Sequence, residues 1–521
     1  MGIFILCRME NIMANLLLGI DIGTYSSKGV LCKPDGTLID SAKVEHKMSI
    51  PKPGYAEQDA EDIWWADFVY LSRKLNSKLS KNHRIVSAAV SAIGPCLLPV
   101  DEKGQPLRQG ILYGVDTRAS KQIRFLENKI GLKNLLELGG MQLTSQAVGP
   151  KILWIKENEP SVYKKASHFL TASSYIIYKL TGKYVIDYHT ASHFNPFFNI
   201  NEYRWDLRHA DGLVTINQLP ELGWSDNIAG ELSHKASEET TLPAGIPITY
   251  GAVDALSEAI SVGVVETGDL MLMYGSTAFL ISIINNPNKT KRIWITAGAF
   301  KGQYNLAAGL STSGSIMTWF RDQFSQDLLM NNSINQINPF EKLAEEAIES
   351  NVGSNGLIFL PYMSGERTPI HDPKARGVII GLALNHNRGD VYRSIIEGTS
   401  FAIRHNLEAM SDMGASIDKA VAVGGGTSNK LWLQTVSDIS GIKQLVPKKT
   451  IGASYGNAFL AGLASEYIKD ISSLKNEWVN YIEEISPIKE NNKSYEKLYS
   501  LFIETYKSTK PLVHNLVDSH Q

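Results

Sequence analysis

Asp21, Gly23, Thr24, Ser26, Ser27 and Lys28 fall within one short stretch, LLLGIDIGTYSSKGVLC (16–32). These residue types suit an anionic, metal-bound ligand. A glycine lets the backbone approach closely, hydroxyls and N–H groups donate to phosphate oxygens, a lysine supplies positive charge, and a carboxylate can orient hydrated Mg2+. A second stretch, DLMLMYGSTAFLISII (269–284), repeats the pattern with Gly275, Ser276 and Thr277. Asp254 lies between them in TYGAVDALSEAISVGVV (249–265), where a strand-like approach gives way to a helical run. It can act as a helix N-cap, or stand at the mouth of a cleft and take a proton from an attacking hydroxyl.

Each hydroxyl-rich turn sits between two apolar runs, the pattern of a buried strand, a tight turn and a returning strand. An ordinary polar hairpin has the same composition, but repetition about half a chain apart points to two similar domains facing each other across a nucleotide. The 521 residues exceed one ordinary core, so two large domains are expected. A 43% hydrophobic and 20% charged composition is that of a globular protein. The formal net charge of -2, without a basic run, gives no reason to expect nucleic acid as a partner. Cys7, Cys32 and Cys96 lack metal spacing and fit a reduced, cytoplasmic setting. No stretch is long and apolar enough for a membrane span, and residues 1–13 read as an extension ahead of the first strand.

Further along, Asp59 is placed to cap a helix whose apolar stripe holds Trp64, Trp65, Phe68, Leu71 and Leu75. Residues 84–98 read as a buried strand broken at Gly94 and Pro95, a break that commonly opens into a site. Asp116 and Arg118 end another short strand, as a surface ion pair or as ligand contacts. The segment 188–206, rich in Phe, Asn and Tyr, has no clear period and reads as an irregular excursion. Arg367, Asp372 and Arg376 read as loop ion pairs, and Asp390 as the cap of a long amphipathic helix. Gly424, Gly425 and Gly426 follow an apolar strand, AVAV, where a flat or anionic ligand can approach the backbone. The small-residue helix at 451–463 is expected to pack on that strand, and the last dozen residues are expected to fray.

In this order the motifs resemble the FGGY carbohydrate kinases, most closely the xylulokinase-like, pentulose-kinase branch. The resemblance runs from Leu16 to about Gly462, and GVIIGLALNHNRGDVYRSIIE (377–397) is its most specific piece. PYMSGERTPIHDPKARG, VGGGTSNKLWLQTVSDISG and KILWIKEN are similar to other segments of the same family. The resemblance implies an α/β protein with two ribonuclease H-like, actin-type ATPase domains flanking a catalytic cleft. The domains are expected at 14–254 (sugar and first phosphate loop) and 255–480 (nucleotide), with a helical tail at 481–521. It implies transfer of the γ-phosphoryl group of ATP, with Mg2+, to a sugar hydroxyl. Asp254 corresponds to the catalytic base and Asp21 to the acidic residue near Mg2+. Thr24, Ser26 and Lys28 correspond to the first phosphate loop, and Gly275, Ser276 and Thr277 to the second. Gly314, Gly425, Gly426 and Asn429 correspond to nucleotide contacts, and Gly94 and Asp116, with Asp254, to the sugar site.

Two segments depart from that pattern. AIGPC (92–96) stands where such kinases carry a GQMHG-type segment, and YGVDTR (113–118) stands where they carry WNDxR. Lost hydroxyl partners change which sugar is accepted. The expected acceptor is a ketopentose such as xylulose, with ribulose, another ketose or a polyol as alternatives. A non-kinase alternative is an ATP-binding regulatory or chaperone-like protein on the actin fold. The partners expected are a small sugar and ATP, with no nucleic acid and no membrane, and a homodimer is one expected assembly.

Overall fold

The computed structural model describes residues 13–335 and 338–519, so Cys7 and nearly all of the extension expected at 1–13 lie outside it. Two mixed sheets organise the chain. In the first, the strands Ala14–Ile22, Ser26–Cys32 and Leu38–Glu45 form an antiparallel meander. His83–Ala92 runs parallel on the other side of Ala14–Ile22, followed by Pro247–Thr249. The second sheet repeats this order. Leu270–Tyr274 is central, Ala278–Ile284 and Tyr304–Leu310 continue antiparallel, and Lys419–Val423 then Lys443–Pro447 run parallel on the other side. This is the duplicated α/β arrangement the resemblance implies.

Register does the positioning. Asp21 pairs with Lys28 on one side and with Ser91 on the other, and Val253 pairs with Ala92. Asp21, Ser91 and Asp254 are thereby gathered where parallel strands end, the usual ligand edge of such sheets. In the second sheet Met273 pairs with Val423, which sets the turn after Tyr274 beside the glycines after Val423.

The helix Ala453–Ala464 lies elsewhere than expected. It packs on the first sheet and on the helix Asp254–Ser261, not on Lys419–Val423. Small residues on both sides permit this approach: a Cβ on Gly19 of the strand would stand 1.9 Å from the Ser454 carbonyl oxygen, and one on Gly456 of the helix would stand 2.1 Å from that of Ser257. The periodicity identified a tightly packing helix, but its partner strand is nearly the whole chain away.

Local expectations mostly hold. Asp59 caps the turn Ala60–Trp65, accepting from the N–H groups of Glu61 and Asp62, and Trp64, Trp65, Phe68, Leu71 and Leu75 are buried. The long helix Arg388–Asp412 is capped by Asn387, with Asp390 closing the capping box from the third helical position. The arrangement corrects the assignment of Asp390 as the cap, because the Asn387 side chain accepts from the Asp390 N–H. The final helix, Lys489–Ser519, does not fray over its last dozen described residues. His514 lies 2.8 Å from Asp372, and Lys374 lies 2.6 Å from Asp518. Asp372 therefore pairs with this helix, not with Arg367 or Arg376. No helix among the described residues is long and apolar enough to cross a membrane.

Candidate active site

The turn at Gly23 is braced from below. Ser27 points inward, its hydroxyl donating to Asp67 at 2.6 Å, and Asp67 also meets His46 at 2.7 Å. The other ring nitrogen of His46 lies 3.0 Å from the Gly23 carbonyl. Ser27 is therefore a support of the turn and not one of its ligand-facing hydroxyls, because strand alternation turns it into the core. Thr24 stays half-buried with its hydroxyl 3.2 Å from that of Tyr113. Ser26 is half-buried and Lys28 exposed.

The second turn is held by the start of the helix Gly314–Phe324. The N–H of Gly314 donates to the Gly275 carbonyl at 2.9 Å, and that of Ser313 donates to Ser276 at 2.9 Å. A Cβ on Gly314 would stand 2.7 Å from the Gly275 carbonyl oxygen, so glycine is required for this contact. Ser276 and Thr277 remain exposed. Gly424 has φ +93°, and a Cβ there would stand 2.6 Å from the Tyr274 carbonyl oxygen. Gly425 has open space around it, Gly426 packs on Trp432, and Asn429 caps the helix Lys430–Ser440 through the Trp432 N–H at 3.0 Å.

Asp254 is the first residue of its helix, and Val253 is the N-cap. Its Oδ1 accepts only from the adjacent Ala255 N–H, at 2.7 Å, among the described residues. Burial, then the neighbouring Glu258, pushes its carboxyl above the usual range. Asp21 is pushed the same way by burial and then by Asp254, while Ser91 donates to it at 2.7 Å. Glu258, one helical turn beyond Asp254, is itself raised by burial and held down by Lys28. Ser91, Asn457 and Glu258 are site residues that sequence reasoning missed. The Asp254–Glu258 spacing on one helical face was the available signal for the last.

A cavity of about 250 Å3 joins these parts, with Gly94, Asp254 and Thr277 on its wall. Tyr113, Gln146, His189, His193, Trp294 and Arg367 line it too. The excursion 188–206 thus supplies part of the site, through the short helix Tyr188–Ala191 and the turn after it. Asp116 is not on this wall. Its carboxylate is saturated by the Ala56 N–H at 2.7 Å and by Arg118 at 2.7–3.1 Å. It braces the loop and has no capacity left for a sugar, which corrects its sequence-based assignment. Lys151 does related work, its buried ammonium donating to the Leu112 carbonyl at 2.7 Å. A separate cavity of about 290 Å3, between Gly36 and Trp478, holds none of the candidate residues.

Comparison with known sequences decides the family. The models of the FGGY family of carbohydrate kinases match residues 16–261 with the N-terminal domain and 270–465 with the C-terminal domain. The chain belongs to the FGGY carbohydrate kinases. This kinase is 28% identical to a xylulose kinase of Staphylococcus xylosus over 94% of this chain and 99% of that one. It is 25% identical to a gluconokinase of Bacillus subtilis, covering 94% and 95% respectively. The crystal structure of xylulose kinase from Rhodospirillum rubrum superimposes with a TM-score of 0.89 at 24% identity, over 96% of this kinase and all of that chain. The kinase is thus an ATP-dependent phosphotransferase acting on a sugar.

Proposed function

We propose that the kinase transfers the γ-phosphoryl group of ATP to a hydroxyl of a ketopentose such as xylulose, with Asp254 as general base. The observation that carries this reading is that Asp254 and Thr277 share one cavity wall. A reacting hydroxyl near Asp254 is then within reach of a phosphate held at the Gly275–Thr277 turn. Asp254 has a free carboxylate oxygen to accept the proton, and burial makes it a stronger base than an exposed aspartate. Thr24, Ser26 and Lys28 face the phosphates from the first domain, while Gly425 leaves open space for the nucleotide and Gly314 and Gly426 hold the neighbouring turns through close packing. Phosphoryl transfer asks for this kind of positioning and charge stabilisation. Xylulose is favoured by the Staphylococcus relative; ribulose, another ketose or a polyol is the alternative.

The carboxylates of Asp21, Asp254 and Glu258 act on one another, and Lys28 is the cation beside Asp21 and Glu258. Such a surplus of hard oxygen donors fits Mg2+. No cluster of three metal-ligating side chains is formed among the described residues, so Asp21 would hold the ion through water. When bound, Mg2+ supplies charge neutralisation at the phosphates. Buried thiols at Cys32 and Cys96 agree with a cytoplasmic setting. Exposed Ile380, Leu382 and Leu384 offer an apolar surface for the homodimer we also propose.

The test is ADP release with MgATP and a panel of pentuloses, hexuloses, pentitols and glycerol, with Asp254→Asn alongside. Acceptor-dependent turnover that falls about 10²- to 10⁴-fold in the variant is expected. Near-normal turnover in Asp254→Asn would remove the base assignment.

A further inference from the structure

The segment Ala92–Cys96 reaches the acceptor cavity only with Gly94 and Pro95, neither of which carries a hydrogen-bonding side chain. Cys96 is fully buried. A site that tells one polyol from another needs buried polar groups matched to particular hydroxyls. Those groups must come from another part of the wall.

The wall holds an unusual concentration of unpaired polar atoms. Gln146 Oε1, His193 Nδ1, Trp294 Nε1, Asn305 Oδ1 and Arg367 Nε all belong to lining residues, and all are buried without a hydrogen-bond partner. Leaving such atoms unpaired is costly, and native proteins carry few of them. Gln146 and His193 can bring theirs to the cavity by rotating a terminal torsion, which is soft in amides and imidazoles.

The two imidazoles lie side by side, their ring centroids 5.8 Å apart. His189 Nδ1 is engaged inside the protein, 3.0 Å from the Ala297 carbonyl, 3.0 Å from the Asn305 amide nitrogen and 3.1 Å from the Thr296 hydroxyl, which leaves Nε2 as its ring atom for a ligand. His193 is held through its backbone, its N–H donating to Thr190 at 3.1 Å and its carbonyl accepting from Val148 at 2.9 Å. Burial drives both rings far below the usual histidine value, to about 4 and about 3, so both are neutral at neutral pH; His189 keeps one ring nitrogen for a ligand, and the unpartnered Nδ1 of His193 adds a second. A hydroxyl, which can donate or accept, can meet either ring nitrogen. Trp294, Phe279 and Met273 add apolar surface for the C–H faces of a sugar. The cavity of about 250 Å3 is many times the ~10–15 Å3 that holds one water, so a three-carbon triol would leave part of it wet.

We propose that His189, His193 and Gln146 are the specificity-determining residues of this kinase, reading the hydroxyls of an acceptor longer than three carbons. The proposal rests on the kinase reading above. It takes over the discriminating role that Ala92–Cys96 lacks the groups to perform.

The experiment measures kcat and KM of wild type, Gln146→Ala and His193→Gln with ketopentoses, ketohexoses, pentitols and glycerol, with melting temperatures as a check on folding. Each variant is expected to lower kcat/KM for the preferred acceptor by roughly 10- to 100-fold and to change the order of preference among acceptors. Glycerol is expected to be a poor acceptor of the wild type. An unchanged order of preference in both variants, an equal loss for every acceptor, or glycerol as the preferred acceptor would overturn the proposal while leaving the kinase reading intact. Should His193→Gln fail to fold, Gln146→Ala alone decides. No acceptor-dependent ADP release by the wild type would instead strike at the kinase reading itself and take this assignment with it.

Discussion

The side-chain amide of Asn457 donates to the Ile20 carbonyl at 2.7 Å, joining residues 437 positions apart. The same nitrogen donates to Ser91 at 2.7 Å, Ser91 donates to Asp21 at 2.7 Å, and Ser257 donates to the Asn457 oxygen at 2.7 Å. One buried residue on the helix Ala453–Ala464 thus ties the central strand of the first sheet to the helix that begins with Asp254. Replacing Asn457 with Leu removes the bonds to the Ile20 carbonyl and to Ser91 and takes away the acceptor of the Ser257 hydroxyl, at a cost of about 1–3 kcal/mol for each buried group left unpaired. The expected outcome is a lowered urea midpoint together with a kcat loss exceeding the change in KM for the acceptor. Unaltered kcat in the folded variant would show that Asp21 needs no such support.

Neighbouring glycines at the nucleotide end differ in their reasons. Gly424 has a left-handed backbone and lies against the Tyr274 carbonyl, whereas Gly425 has open space and ordinary φ. Gly424→Ala is expected to destabilise the fold by about 1 kcal/mol or more. Gly425→Ala should keep its melting temperature and raise the KM for ATP several-fold, since its methyl group enters space left for the nucleotide. Equal behaviour of the two variants in melting and kinetics would refute this division.

Asp254 is a carboxyl whose folded value is raised, so its protonated form is the one the fold favours. Its stabilising contribution is complete below the usual aspartate value of about 4 and is lost as pH rises through the raised folded value. Asp254→Asn should therefore melt higher than wild type at pH 8, with the difference shrinking toward pH 4. Thermal melts across that range check the sign. A variant that melts lower at pH 8 would contradict the burial argument.

His189 and His193 are titrated in the opposite sense. Their folded values are depressed, so their contribution is complete above the unfolded value of about 6.5 and fades as pH falls from there toward about 4 and about 3. Each imidazole adds a slope of up to about 1.4 kcal/mol per pH unit in that window. Denaturant midpoints measured between pH 7 and pH 4 should fall less steeply in His189→Gln and His193→Gln than in wild type. Parallel curves would rule the imidazoles out as the source.

Much of the candidate site could be read from residue order. The turns at Gly23 and Gly275 and the carboxylate at Asp254 are local patterns, legible because strand, turn and helix signals are short-range. Asp116 and Ser27 look equally functional in one dimension. Only their partners, Arg118 with Ala56 and Asp67 with His46, reveal them as supports. The most specific family segment, 377–397, likewise serves the scaffold: Asp390 bonds Ser350 and Asn355, and Glu397 takes Tyr495, Ser354 and Arg393. Asp390 and Glu397 hold the long helix in place, and the segment stands apart from the acceptor cavity.

By itself the sequence determined the two-domain α/β plan, the two hydroxyl-rich turns and the family, because periodicity, turn chemistry and motif order are carried by neighbouring residues. Tertiary structure alone decided that the helix Ala453–Ala464 returns to the first sheet, that Asn457 and Ser91 support Asp21, and that His189, His193 and Gln146 wall the acceptor cavity. These are relations between residues separated by tens to hundreds of positions. Nothing in their local composition records such relations, since burial and pairing arise only when the whole chain packs.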